Sequence, residues 1–134
     1  MKPTLSPSLA FHRTVTVDER RCIAFMGDEC RVYATPSIIS DVEYTCRNGL
    51  LEHLDPGEDS VGTRVEIEHV GPGLLGDEAK IDVRVASIEG RRVLFEAEVS
   101  CAGEPVLRGR HERFVVDTAK VRERLLKKKA ERGL

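Results

Sequence analysis

The chain has 134 residues, a length that fits one domain, and its 40% apolar and 33% charged residues can bury a core beneath a solvated surface. Lys and Arg number 21 against 23 Asp and Glu, a net charge of −2 that excludes a general nucleic-acid binder, which needs a basic face. No apolar run approaches the ~20 residues of a membrane span and no signal-peptide block follows the start, so a cytoplasmic protein acting away from membranes is expected.

Residues 1–9 read as a loose N-terminus. The β-branched stretch Thr14-Val15-Thr16-Val17 predicts a strand over residues 10–17, ended by the charged run Asp18-Glu19-Arg20-Arg21. Residues 22–29 show no period and read as a loop or helical turn, and residues 30–34 as a short strand. A helix of about 16–19 residues follows, near or above the average length. Thr35 is placed to cap it and Pro36 suits its first position. Ile38, Ile39, Val42, Cys46 and Leu50 recur every three or four residues and make one apolar face. Asn48-Gly49 weakens the helix and Asp55-Pro56-Gly57 stops it.

From residue 60 to 116 the pattern is that of an antiparallel sheet. Val65, Ile67 and His69 alternate with charged residues, as do Ile81, Val83 and Val85, and then Val93, Phe95, Ala97 and Val99 alternate with Leu94, Glu96 and Glu98. Gly71-Pro72-Gly73, Glu89-Gly90 and Ala102-Gly103-Glu104-Pro105 are the breaks, and residues 106–116 the last strand. Residues 118–134 read as a charged C-terminal helix whose basic cluster at Lys127-Lys128-Lys129 suits the negative helix end. A single α+β domain over residues 1–134 is expected, one long helix covering one side of an antiparallel sheet.

Cys22, Cys30, Cys46 and Cys101 form no CxxC pair, and His12, His53, His69 and His111 offer no paired-ligand spacing. The cysteines are read as reduced and mostly buried, and no metal site is expected. Cys46 lies on the apolar helix face with no basic residue placed to activate it. His12, His53 and His111 are read as structural or solvent-exposed.

The element order resembles the hot-dog fold. Ala34-Thr35-Pro36 followed by Glu43, Leu50-Leu51-Glu52, Val61-Gly62-Thr63 and His69 is similar to the fluoroacetyl-coenzyme A thioesterase type of hot-dog protein. Ser87-Ile88-Glu89-Gly90-Arg91-Arg92 and Gly109-Arg110-His111-Glu112-Arg113 extend the likeness. The resemblance implies an acyl-coenzyme A thioesterase with a catalytic set at Thr35, Glu43 and His69. It implies that Gly62 lies close to the acyl α-carbon and that Arg113 lies near the pocket. Coenzyme A enters as part of the substrate, with no separate cofactor. The family's prototype carries an aromatic lid upstream of its catalytic Thr. Here that region reads Phe25-Met26-Gly27-Asp28-Glu29-Cys30, with one aromatic followed by two acids, so a general short or small acyl thioester is expected rather than strict fluoroacetyl selectivity.

Thioester hydrolysis needs a nucleophile, a base and donors for the developing oxyanion. An imidazole titrating near ~6.5 suits His69 as the base, and Glu43 is expected to orient it. Thr35 either attacks directly or positions a water, and free N–H groups at the helix start or at Gly62 are candidate oxyanion donors. Taken alone, Thr35 also reads as a cap, Glu43 as a solvent-facing acid, His69 as a core histidine and Gly62 as a bulge. Eight residues of helix advance ~12 Å and turn ~80°, so Thr35 and Glu43 of one chain do not easily meet one acyl carbon. A homodimer with composite sites is therefore expected, Thr35 of one subunit facing Glu43 or His69 of the other, with a tetramer left open. The alternative is a non-catalytic acyl-coenzyme A binding module. Arg91, Arg92, Arg108 and Arg110 are either contacts for coenzyme A phosphates or solvated sheet charges.

Overall fold

The computed structural model describes all residues, Met1–Leu134. The strands are β1 (Ala10–Thr16), β2 (Glu58–His69), β3 (Glu78–Glu89), β4 (Arg92–Cys101) and β5 (Glu104–Asp117). The helices are α1 (Thr35–Leu51) and α2 (Thr118–Glu131). All strand pairings are antiparallel and the order across the sheet is β1-β3-β4-β5-β2, which leaves β1 and β2 at the edges.

Alternation decides which side of the sheet α1 covers. Ala79, Ile81, Val83 and Val85 of β3 and Val93, Phe95, Ala97 and Val99 of β4 are all buried. They meet Ile38, Val42, Cys46 and Leu50 of α1 in one core cluster. The other side is charged and cross-linked, with Arg84 paired to Glu96 at 2.6 Å and Arg108 to Glu68 at 3.2 Å. Asp117 caps α2 by accepting from the Lys120 N–H, and α2 buries no residue.

The helix has 17 residues, as the apolar spacing predicts, but its start differs from expectation. Ala34 is the cap, Thr35 is already the first helical residue, and no side chain caps the first turn. The turn before it is held by other groups, so the Thr35 hydroxyl is free for another partner. Gly49 does not break α1, because the Phe11 ring of β1 lies against it. A Cβ there would stand 2.2 Å from Phe11 Cγ.

Residues 30–34 form no strand. They make isolated bridges, Cys22 with Tyr33 and Val32 with Leu74, between two short 3-10 turns and the helix. What anchors this stretch is Asp41, buried on α1. Arg21 donates to both its oxygens at 2.9 and 3.1 Å and the Tyr33 hydroxyl donates to one of them. Both ends of the segment carrying Phe25 and Met26 are thus tied to the helix, while those two side chains stay exposed.

Candidate active site

Pairing of β2 with β5 positions most of the site. Ser60 faces Val115, Gly62 faces Arg113, Val65 faces His111 and His69 faces Leu107. Directly opposed residues share a face, so all four project to the helix side. The register shifts between Gly62 and Arg64, a bulge that inserts Thr63. Without that extra residue, either Ser60 and Gly62 or Val65 and His69 would turn outward. Gly62 therefore marks the edge of a bulge, as a glycine within a strand suggests, and it also lies among the site's polar groups.

The side chains form two groups. In the first, the Thr35 hydroxyl lies 2.7 Å from His69 Nδ1. His69 is on the helix side, as alternation predicts, yet it is exposed, because β2 is an edge strand and α1 only begins at Thr35. The expected split of Thr35 and His69 between subunits is corrected: one chain brings them together.

The second group surrounds Arg113, whose side chain is 5% exposed. Its Nε donates to the Ser60 hydroxyl at 2.7 Å, Nη2 to the Ser60 carbonyl at 2.8 Å, and Nη1 to Glu43 Oε2 at 3.4 Å and His111 Nε2 at 3.0 Å. Glu43 is 40% exposed, so its carboxylate meets the buried guanidinium with one oxygen and retains access to solvent. Gly62 is packed between these groups. A Cβ would stand 2.9 Å from Glu43 Oε2 and 3.1 Å from His111 Cε1. Within one chain Glu43 is bonded to Arg113 and makes no hydrogen bond to His69.

A groove of about 600 Å³ runs beside Glu43, bordered by Pro36, Tyr44, Arg47 and Arg113. Burial pushes the Cys46 thiol up to about 12, which keeps it from serving as a thiolate nucleophile. Arg91, Arg92 and Arg108 are each paired, with Glu58, Glu112 and Glu68. Ser60 and His111 are absent from the expected set. The signal for His111 was present: Leu107, Gly109, His111, Arg113 and Val115 alternate on the covered face of β5, which sets two polar side chains among apolar ones.

A family model described as fluoroacetyl-CoA-specific thioesterase matches residues 17–119. The fluoroacetyl-CoA thioesterase of Streptantibioticus cattleyicolor is 29% identical over 97 residues, 69% of this chain and 70% of that protein. Among solved structures, a thioesterase superfamily member from Thermus thermophilus superposes with a TM-score of 0.87 at 27% identity, covering 97% of this chain and 96% of that one. A hot-dog-like protein from Thermanaerovibrio acidaminovorans gives 0.84 at 23% identity, with 95% and 93% covered. A structure of a fluoroacetyl-CoA thioesterase gives 0.84 at 22%, with 92% and 97% covered. The fold is the hot-dog fold. No helix of the chain is long and apolar enough to cross a membrane.

Proposed function

The chain belongs to the fluoroacetyl-CoA-specific thioesterase family, and on that premise we propose that it hydrolyses a short or small acyl thioester of coenzyme A at sites shared between two copies of the chain. Membership makes it a thioester hydrolase. The observation that carries the finer reading is the 2.7 Å contact of Thr35 with His69, while Glu43 of the same chain is held apart by Arg113.

With the His69 proton on Nε2, Nδ1 accepts from the Thr35 hydroxyl. His69 then takes the proton as the threonine oxygen, or a water held by it, attacks the thioester carbonyl. The C–S bond breaks, and the proton passes from His69 to the departing coenzyme A sulfur. If Thr35 is acylated, a second round with water releases the acid. First-turn N–H groups of α1, free of any side-chain cap, support a role as donors to the oxyanion. The exposed Glu43 of the second copy orients the His69 Nε2–H in this arrangement. Support for the second copy comes from β2, a 12-residue strand with one side unpaired and Val61 and Val65 exposed. Gly62 and Arg113 lie beside Glu43 and border the acyl group.

The test is thiol release from a panel of acyl-coenzyme A esters, from acetyl and fluoroacetyl to phenylacetyl and medium chains. Hydrolysis is expected for the small acyl groups, falling ~100-fold or more in His69→Ala, the size of a lost general base. Equal turnover by wild type and His69→Ala would remove His69 from the mechanism. An initial burst of thiol distinguishes attack by Thr35 from attack by water.

A further inference from the structure

Arg113 is contacted by a histidine that has no step in the proposed reaction. His111 lies two residues earlier on β5 and is 1% exposed. Its Nδ1 stands 2.9 Å from the Arg64 carbonyl, which accepts only, so Nδ1 carries a proton. Its Nε2 stands 3.0 Å from Arg113 Nη1, which donates only, so Nε2 presents a lone pair. One species alone meets both demands: the neutral ring protonated at Nδ1. The other tautomer sets N–H against N–H on one side and lone pair against carbonyl on the other. The doubly protonated ring sets cation beside cation.

We propose that His111 is a positioning residue, which as the neutral Nδ1–H tautomer fixes the Arg113 guanidinium so that Arg113 holds Glu43 beside Gly62, where the acyl group binds. This rests on the thioesterase reading of the site. The arrangement spans three elements: the ring hangs from β5, its tautomer is set by the Arg64 carbonyl beside the β2 bulge, and its target reaches Glu43 on α1. The charged groups facing the ring are Arg113 from β5 and Glu43 from α1, and Glu112, on the other face of β5, acts on it through the sheet. Burial above all, with help from Arg113, holds the imidazole below its ordinary value, while the Arg64 carbonyl and the two carboxylates oppose this. When acid adds a proton from solvent at Nε2, Arg113 Nη1 loses its acceptor and gains a cationic neighbour. Its hold on Glu43 then loosens, and loss of the proton restores it.

The experiment has two arms on the full chain. Two-bond ¹H–¹⁵N spectra of the wild type, with the His111 signals identified by their loss in His111→Gln, are expected to show Nδ1–H and a bare Nε2 at neutral pH. That is the reverse of the form free histidine favours. A ring carrying its proton on Nε2, or on both nitrogens, overturns the proposal, and this arm stands even if no thioester is turned over. In the kinetic arm, His111→Leu fills the space without an acceptor and is expected to lose roughly 10–100-fold in kcat/KM, the scale of a displaced site group. His111→Gln, which returns an acceptor oxygen to Arg113, is expected to recover most of that loss. In an Arg113→Lys background, His111→Leu is expected to cost little more. Equal losses in the Gln and Leu variants, or full additivity with Arg113→Lys, overturn the positioning role.

Discussion

Two side chains at the site are best understood by what they do not do. Thr35 is not the cap of α1, so its hydroxyl is spared from the backbone and reaches His69. Thr35→Ala should therefore cut thioester hydrolysis while changing unfolding free energy by no more than ~0.5 kcal/mol, against the ~1 kcal/mol of a lost cap. Urea unfolding beside thiol release checks both halves. His111, in turn, resists protonation in the folded chain because burial disfavours its charge. The unfolded chain takes up that proton as pH falls through ~6.5, where the folded chain does not yet. Stability should thus decline on acidification from about pH 6.5 down to the lower folded value, then level off. Urea midpoints from pH 7.5 to 5 should show this slope in the wild type, and a flatter one in His111→Gln.

The elements bring the site together by two devices, one on each side of α1. On one side, the β2 bulge lets Ser60, Gly62, Val65 and His69 share the helix-facing side of an edge strand. On the other, Asp41 receives Arg21 and Tyr33 and ties the segment before the helix to the helix itself. Asp41 is buried and its partners are donors, so removing its charge strips Arg21 of its two-oxygen partner and leaves it only the more exposed Asp18. Asp41→Asn is expected to cost about 2–3 kcal/mol, somewhat less than a fully buried pair because Arg21 is partly exposed. The helix should survive, since its apolar face is untouched. Hydrogen exchange should rise in residues 22–34, and unchanged exchange there would assign the anchoring to the backbone bridges instead.

At the scale of the molecule, one chain holds Thr35 with His69 and, separately, Glu43 with Arg113 and Gly62. Composite sites make a sharp prediction for mixtures. Thr35→Ala and Glu43→Gln chains, each inactive alone, should regain activity when unfolded and refolded together. Half of the dimers are then mixed, and each mixed dimer has one site with both residues intact, so about a quarter of wild-type activity should return. No recovery, from chains shown to mix, would place both residues in one chain's site. Light scattering should give a multiple of the 14.9 kDa chain mass.

Much of this architecture was readable in the residue order. Period-two alternation marked the buried sides of β3 and β4, and spacings of three and four marked the face and length of α1, because burial selects side chains with the period of the backbone that presents them. The positions of Thr35, Glu43, His69, Gly62 and Arg113 were legible only through family resemblance, since a lone Thr, Glu or His has an ordinary use wherever it occurs. The tertiary structure alone decided who meets whom. It moved the cap from Thr35 to Ala34, dissolved the strand expected over residues 30–34 into bridges around a buried Asp41, joined Thr35 to His69 within a chain, and gave Arg113 to Glu43, Ser60 and His111. Local pattern reports which way a side chain points, but its partner comes from a strand or helix distant in sequence. That partner follows from register, and here a single bulged residue in β2 sets the register.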